Sequence, residues 1–276
     1  RNINVKFWNK DFSMIAIGQA LSLFANNILH FALSLYVLDL TNSGTAFGVI
    51  TAVSMVPTIF FMPFGGILAD RMDRKKLILI MDILSGGVLL TFSITVNQIQ
   101  PLIAVVIIMI LLSIIEALYT PCVQASIPVL QEKQNVARAN ALVNQIAMSS
   151  NITGPILGGI LYGFLGLRTI LYFCTLSFVL SGITKMFVNI PFHKKPDASH
   201  SKLTSIKADF RESIEFLRIQ QKEILGVIPA IAALNFTLSP IITVGAPYMI
   251  RVILGLSSEL YGVATGSIAA AGLLGG

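Results

Sequence analysis

Cysteine is scarce in this chain: Cys122 and Cys174 are the only two. They fall in different hydrophobic runs at different expected depths, too far apart for a bond that needs Cα atoms within about 7 Å. Both read as small buried hydrophobes. Histidine is almost as rare, and His30, His193 and His200 show no metal-ligand spacing. No Gly-x-x-x-x-Gly-Lys-Ser/Thr run is present to cradle ATP phosphates, and no nucleophile–base constellation emerges. Neither an enzyme nor a metal or cofactor is therefore expected. The largest deficit is charge, at 12% of residues, where soluble domains carry about 25%.

Apolar residues fill the space instead. Of 276 residues 55% are hydrophobic, and the mean hydropathy is +0.81. A spanning helix needs about 20 mainly apolar residues, and eight such stretches fit, near 12–38, 45–68, 77–97, 101–123, 140–163, 169–189, 224–249 and 258–276. The first is too long for a cleaved signal, lacks a small-residue cleavage site and is followed at once by further spans. The expected fold is an all-α multi-pass membrane protein.

The net charge of +6 could suggest nucleic acid, but its distribution argues otherwise. Of 19 Lys and Arg, only Arg168 and Arg251 follow odd-numbered spans. The other 17 lie at the N-terminus, in the 69–76 turn, near 132–138 or between Lys185 and Lys222. That asymmetry obeys the positive-inside rule and predicts a cytoplasmic N-terminus in a cell membrane. The bilayer is the expected partner.

Three regions follow from this layout: a six-helix bundle over 1–190, a cytoplasmic loop over 191–223, and the start of a second bundle over 224–276. The loop opens with Pro191 and Pro196, then turns helical, with Leu203, Ile206, Phe210, Ile214 and Leu217 at a period near 3.6. It fits a helix lying on the inner membrane surface or a solvated linker helix equally well. Phe47-Gly48-Val49-Ile50-Thr51 opens span two, and Tyr261-Gly262-Val263-Ala264-Thr265 opens span eight. An echo six spans on suggests a duplicated architecture. The last span ends in Gly275-Gly276 without a polar flank, so the chain reads as helices one to eight of a twelve-helix protein.

The most informative stretch is the turn Gly66-Ile67-Leu68-Ala69-Asp70-Arg71-Met72-Asp73-Arg74-Lys75-Lys76. So short a turn makes spans two and three antiparallel neighbours, and its charges fix orientation. Gly66 would permit close helix approach, Asp70 can accept hydrogen bonds, and Arg71, Arg74 and Lys75 are topogenic. Span five carries Gly154-Pro155-Ile156-Leu157-Gly158-Gly159. Ser150, Gly154 and Gly158 share a face that admits another backbone, and Pro155 invites a bend. Gly262, Gly266 and Ala270 of span eight offer a matching face, so the two are predicted to meet across the seam between bundles.

The turn resembles the loop between helices two and three of major facilitator superfamily transporters, Gly-x-Leu-Ala-Asp-Arg-x-Gly-Arg-Lys/Arg, with Asp73 in place of the second Gly. The resemblance implies that Asp70 helps latch the inner gate against a helix of the second half. The Gly154–Gly159 run resembles the motif associated with the antiporters of that superfamily. Ile17-Gly18-Gln19, Ala117-Leu118-Tyr119-Thr120-Pro121, Ala125-Ser126-Ile127-Pro128-Val129-Leu130 and Ala137-Arg138-Ala139-Asn140-Ala141-Leu142 are similar to the branch containing macrolide-efflux permeases. The implied architecture is the major facilitator fold, an N-terminal six-helix bundle plus the first two helices of the C-terminal bundle.

A charge at the bilayer centre costs at least ~2.5–3.5 kcal/mol, so embedded polar groups mark candidate sites. Glu116 in span four is the leading proton-carrying candidate, with a hydrated or paired structural carboxylate as the alternative. Asp82 is the second candidate, but its nearness to the basic turn favours a structural pairing with Lys or Arg there. Asn26, Asn27 and His30 in span one and Asn235 in span seven could line a central cavity or simply bond neighbouring helices. The reading is a secondary transporter, working by alternating access and exporting a small, partly apolar, drug-like compound in exchange for protons. Its expected partners are substrate, protons and lipid, and it is expected to be a monomer. The alternatives are uptake or lysophospholipid transport on the same fold, or a truncated membrane protein without transport activity.

Overall fold

The computed structural model describes residues 7–95 and 100–191 and scattered positions between 226 and 260. The linker helix, Asn235 and span eight apart from Leu260 lie outside the described residues. Five long apolar helices account for the described core: α1 (Lys10–Thr41), α2 (Gly44–Arg71), α3 (Arg74–Thr95), α4 (Pro101–Leu130) and α5 (Val136–Met186). Each is long and apolar enough to cross a membrane.

Local chemistry sets the ends. Asn9 caps α1 by accepting from the Phe12 N–H at 2.7 Å. Asn42 closes the same helix in the left-handed conformation, at φ 49°, as short polar side chains tolerate. The Ser43 hydroxyl accepts from the Ala46 N–H at 3.2 Å to start α2. Asp73, the departure from the family pattern, caps α3. Its carboxylate accepts from the N–H of Lys75 at 3.0 Å and of Lys76 at 3.4 Å. Pro101 opens α4 where a missing N–H costs nothing.

α5 is two arms, 136–165 and 167–186, broken at Gly166, whose φ of 72° and ψ of 169° only glycine adopts readily. The first arm runs parallel to α1: Gly154 meets Asn27 and Gly158 meets Ile28, and the Tyr162 hydroxyl donates to Asp39 at 3.0 Å. The second arm runs back: Cys174 lies on Ala25, Ser181 on Gly18, and the Asn189 N–H reaches Asp11 at 3.0 Å. The break therefore makes a hairpin. Six spans alternate in direction, with α1 between the two arms.

One end gathers the basic loops. Asn9 donates to the Leu130 carbonyl, Gln131 to the Phe7 carbonyl, and Arg138 sits 4.5 Å over the Phe7 ring. Polarity is inverted relative to a soluble domain. Large apolar side chains point outward, with Ile59 73% and Phe164 75% exposed, while Ser22, Asp82, Ser126, Ser150, Ser181 and Lys185 are buried. Cys122 and Cys174 are free, buried, and in separate apolar clusters.

α4 corrects one boundary. Its span was expected to end near residue 123, yet the helix continues to Leu130 through Pro121 and Pro128. A proline inside a helix leaves the carbonyl four residues back without its usual donor. For Pro121 that carbonyl is Ala117, and the α2 backbone at Gly65 passes beside it, so that a Cβ there would lie 2.6 Å from the oxygen. The close approach thus belongs to Gly65; around Gly66 there is open space.

Candidate functional site

Four spans each turn a short polar stripe toward one layer, between the two larger apolar clusters. α1 supplies Gln19, Ser22 and Asn26, at the i, i+3, i+7 spacing that keeps residues on one helix face. α3 supplies Asp82 and Ser85, α4 supplies Glu116 and Tyr119, and the second arm of α5 supplies Ser181 and Lys185.

The centre of this layer is an ion pair. Lys185 Nζ lies 2.8 Å from Asp82 Oδ2, and the two side chains are only 1% and 2% exposed. The ammonium also donates to Ser181 Oγ at 2.6 Å, to the Tyr119 hydroxyl, and more weakly to Ser22 Oγ at 3.3 Å. Asp82 in turn accepts from Ser22 at 2.9 Å and from Ser181 at 3.0 Å. The Tyr119 hydroxyl donates its own proton to Gln19 Oε1 at 2.6 Å, and its ring centroid lies 4.7 Å from the ammonium. A buried pair is sustained only when further hydrogen bonds satisfy its remaining donors and acceptors; here the Ser22, Ser181 and Tyr119 hydroxyls do so. Gly18 makes the access possible, because a Cβ on it would lie 2.6 Å from Lys185 Cε.

Beside the pair lies a cavity of about 30 Å³, above the ~10–15 Å³ one water molecule requires. Ser22, Asn26, Asp82, Ser85, Glu116 and Tyr119 line it together with apolar residues. Glu116 is only partly buried, and Asn26 Nδ2 donates to its Oε2 at 2.8 Å. Asp82 and Glu116 thus face one water-sized space, one carboxylate paired with a cation and the other held by an amide.

Several expectations change against this geometry. Asp82 does pair with a lysine, but with Lys185 of the second arm of α5, 103 residues away in sequence, rather than with the basic turn. Lys185 itself, counted among the cytoplasmic charges, is inside. Asn26 lines the cavity; Asn27 turns away and donates to Ser150 Oγ at 2.8 Å. His30 is not among the cavity's lining residues, and its Nε2 is buried without a hydrogen-bond partner among the described residues. The face of Ser150, Gly154 and Gly158, with Pro155 and Gly159 on the same arm, was expected against span eight. Among the described residues it packs on α1, and span eight's matching face lies outside them: a Cβ at Gly154 would lie 2.5 Å from Asn27 Cβ, and one at Gly158 2.9 Å from the Ile28 carbonyl.

At the basic end, Arg74 fastens the turn to α4. Its Nε donates to the Ala69 carbonyl at 2.8 Å and its Nη1 to the Ala125 carbonyl at 2.7 Å. Asp70, 65% exposed, lies 3.9 Å from Arg74; at such exposure a pair of this kind is worth little. Arg71 is exposed and Lys75 half-buried. Sequence reasoning missed Gln19, Ser22, Tyr119, Ser181 and Lys185 as one layer. The available signal was their helical spacing inside apolar spans.

Comparison with known proteins agrees with this architecture. The family model of the Major Facilitator Superfamily matches residues 15–276. Macrolide efflux protein A of Streptococcus pyogenes is 28% identical over 85% of this chain and 57% of its own length. The MFS-type transporter YkuC of Bacillus subtilis is 26% identical over 76% of this chain and 50% of its own length. The chain thus spans about half the length of these relatives. The crystal structure of the POT family transporter PepTSo superposes with a TM-score of 0.63 at 15% identity, covering 95% of this chain and 54% of that one; identity that low speaks to the fold alone. With a family match over nearly its whole length and six alternating spans, the chain belongs to the Major Facilitator Superfamily.

Proposed function

We propose that the intact protein is a secondary transporter that exports a small, partly apolar compound in exchange for protons, by alternating access between two bundles. The observation that carries this is Glu116, a carboxylate inside an apolar bundle, held by Asn26 at a water-sized cavity and without a cation bonded to it among the described residues. Charge so placed is costly, so gain and loss of one proton there changes the energy of the bundle enough to bias its conformation. The naming of the Streptococcus pyogenes relative as a macrolide efflux protein supports both the outward direction and the substrate class.

The remaining motifs take places around this centre. The tight contact of Gly154 and Gly158 with α1, next to the bend invited by Pro155, serves as a seam along which α1 and the first arm shift. Asp70, outward-facing beside Arg74, latches onto the second bundle at the cytoplasmic end. The basic loops face the cytoplasm, together with the N-terminus, and the protein works as a monomer in lipid. Export from cells producing the intact protein should collapse on adding an uncoupler and survive ATP depletion. Export that persists after the proton gradient is dissipated overturns the reading.

A further inference from the structure

We propose that Lys185 is a counter-ion shared by Asp82 and Glu116, so that the three groups form one charge unit that is neutral when it holds a single proton. The proposal rests on the export reading for its purpose, but not for its charges.

With both carboxylates ionised the layer carries two negative charges and one positive. One proton makes it neutral, on whichever carboxylate the ammonium is not serving. In the structure Lys185 serves Asp82 at 2.8 Å, and Glu116 is the carboxylate left to an amide. The ammonium is already bonded to Tyr119, one helical turn from Glu116 on α4, where residues three apart are surface neighbours. Both carboxylates line the same cavity, as do Ser22 and Tyr119, to which the ammonium is bonded, so the ammonium sits at its wall and a water inside it has a place to carry the proton. Ser22 and Ser181, 2.6 Å apart, bond either charged partner. Other titratable groups nearby are His30 on α1 and Cys122 on α4; Gln19, Ser22 and Asn26 complete the α1 face, and the lining holds no α2 residue.

Asp82→Asn leaves Glu116 untouched, yet the freed ammonium then neutralises Glu116, and proton uptake by the layer disappears. Adding Lys185→Met to Asp82→Asn removes the ammonium and brings uptake back. A pair that only braces helices predicts neither result, because proton uptake would then be the same in all three chains.

The test is pH-difference infrared spectroscopy of the intact protein in liposomes, reading the protonated-carboxyl stretch that Glu116→Gln removes. The expected result is one band per chain in the native protein, none in Asp82→Asn, one in the double variant, and no change in His30→Gln. A band retained in Asp82→Asn, or missing in the double variant, overturns the proposal. So does an Asp82→Asn chain that cannot be recovered while the double variant folds, since a shared ammonium has a second carboxylate to turn to. Gradient-driven export measured in the same liposomes separates the two readings. Bands that follow this pattern without proton-dependent export leave the shared counter-ion standing and remove its transport role.

Discussion

Lys185→Met destabilises the bundle by about 3–5 kcal/mol, the cost of removing one partner of a buried ion pair. The size follows from what is left behind. Asp82, 2% exposed, would keep only the Ser22 and Ser181 hydroxyls, and a second carboxylate faces the same cavity. The double variant Asp82→Asn/Lys185→Met recovers most of that loss, because two neutral groups of similar shape need no compensation. Asp82→Asn alone falls between, since its ammonium can still turn to Glu116. Denaturant unfolding of the intact protein in detergent, run as a double-mutant cycle, measures all three. A Lys185→Met chain as stable as the native one means that the pair is not buried as described.

The second large effect is functional. Glu116→Gln keeps the hydrogen bond to Asn26, since the amide oxygen accepts as the carboxylate oxygen does. The chain is therefore expected in the membrane at native abundance. What it loses is the proton. One proton exchanged across a gradient of one pH unit supplies about 1.4 kcal/mol, or about a tenfold accumulation of substrate. In inverted vesicles with an imposed gradient, the native protein is expected to approach that ratio and the variant to stay near one. Undiminished accumulation by the variant removes Glu116 from the coupling step.

Much of the fold was legible in the sequence. Apolar runs located the first six spans, and the short gaps Thr41–Gly44 and Leu165–Arg168 demand the tight turns that Asn42 and Gly166 make. Clustered basic residues identified the end at which the loops gather. What stayed hidden was lateral. Whether Gly65 or Gly66 touches α4 is a matter of about 100° around a helix, and adjacent glycines give no preference. The prolines of α4 look like an ending, but a helix in lipid can continue where a neighbouring backbone covers the freed carbonyl.

The polar layer was the hardest part. Asp82 and Lys185 are 103 residues apart, and near the end of a span a lysine looks the same whether it snorkels outward or turns inward. Gly18 decides between these fates by leaving room for the Lys185 stem, and only tertiary packing shows that. Glu116 and Asn26 stood out because charge and amide are rare in such runs. Ser22 and Ser181 did not, since serine is common there and usually bonds its own helix.

Ser22 and Ser181 also give the most direct check on the arrangement. Their hydroxyl oxygens lie 2.6 Å apart, between α1 and the returning arm of α5. In an intact protein otherwise free of cysteine, Ser22→Cys/Ser181→Cys should form an intramolecular disulfide under mild oxidation, seen by mass spectrometry. Ile17→Cys, on the outward face of α1, should form none with Ser181→Cys. If the first pair stays reduced and both its thiols are freely alkylated, α1 and that arm do not meet, and the buried layer that ties Lys185 to the two carboxylates does not exist.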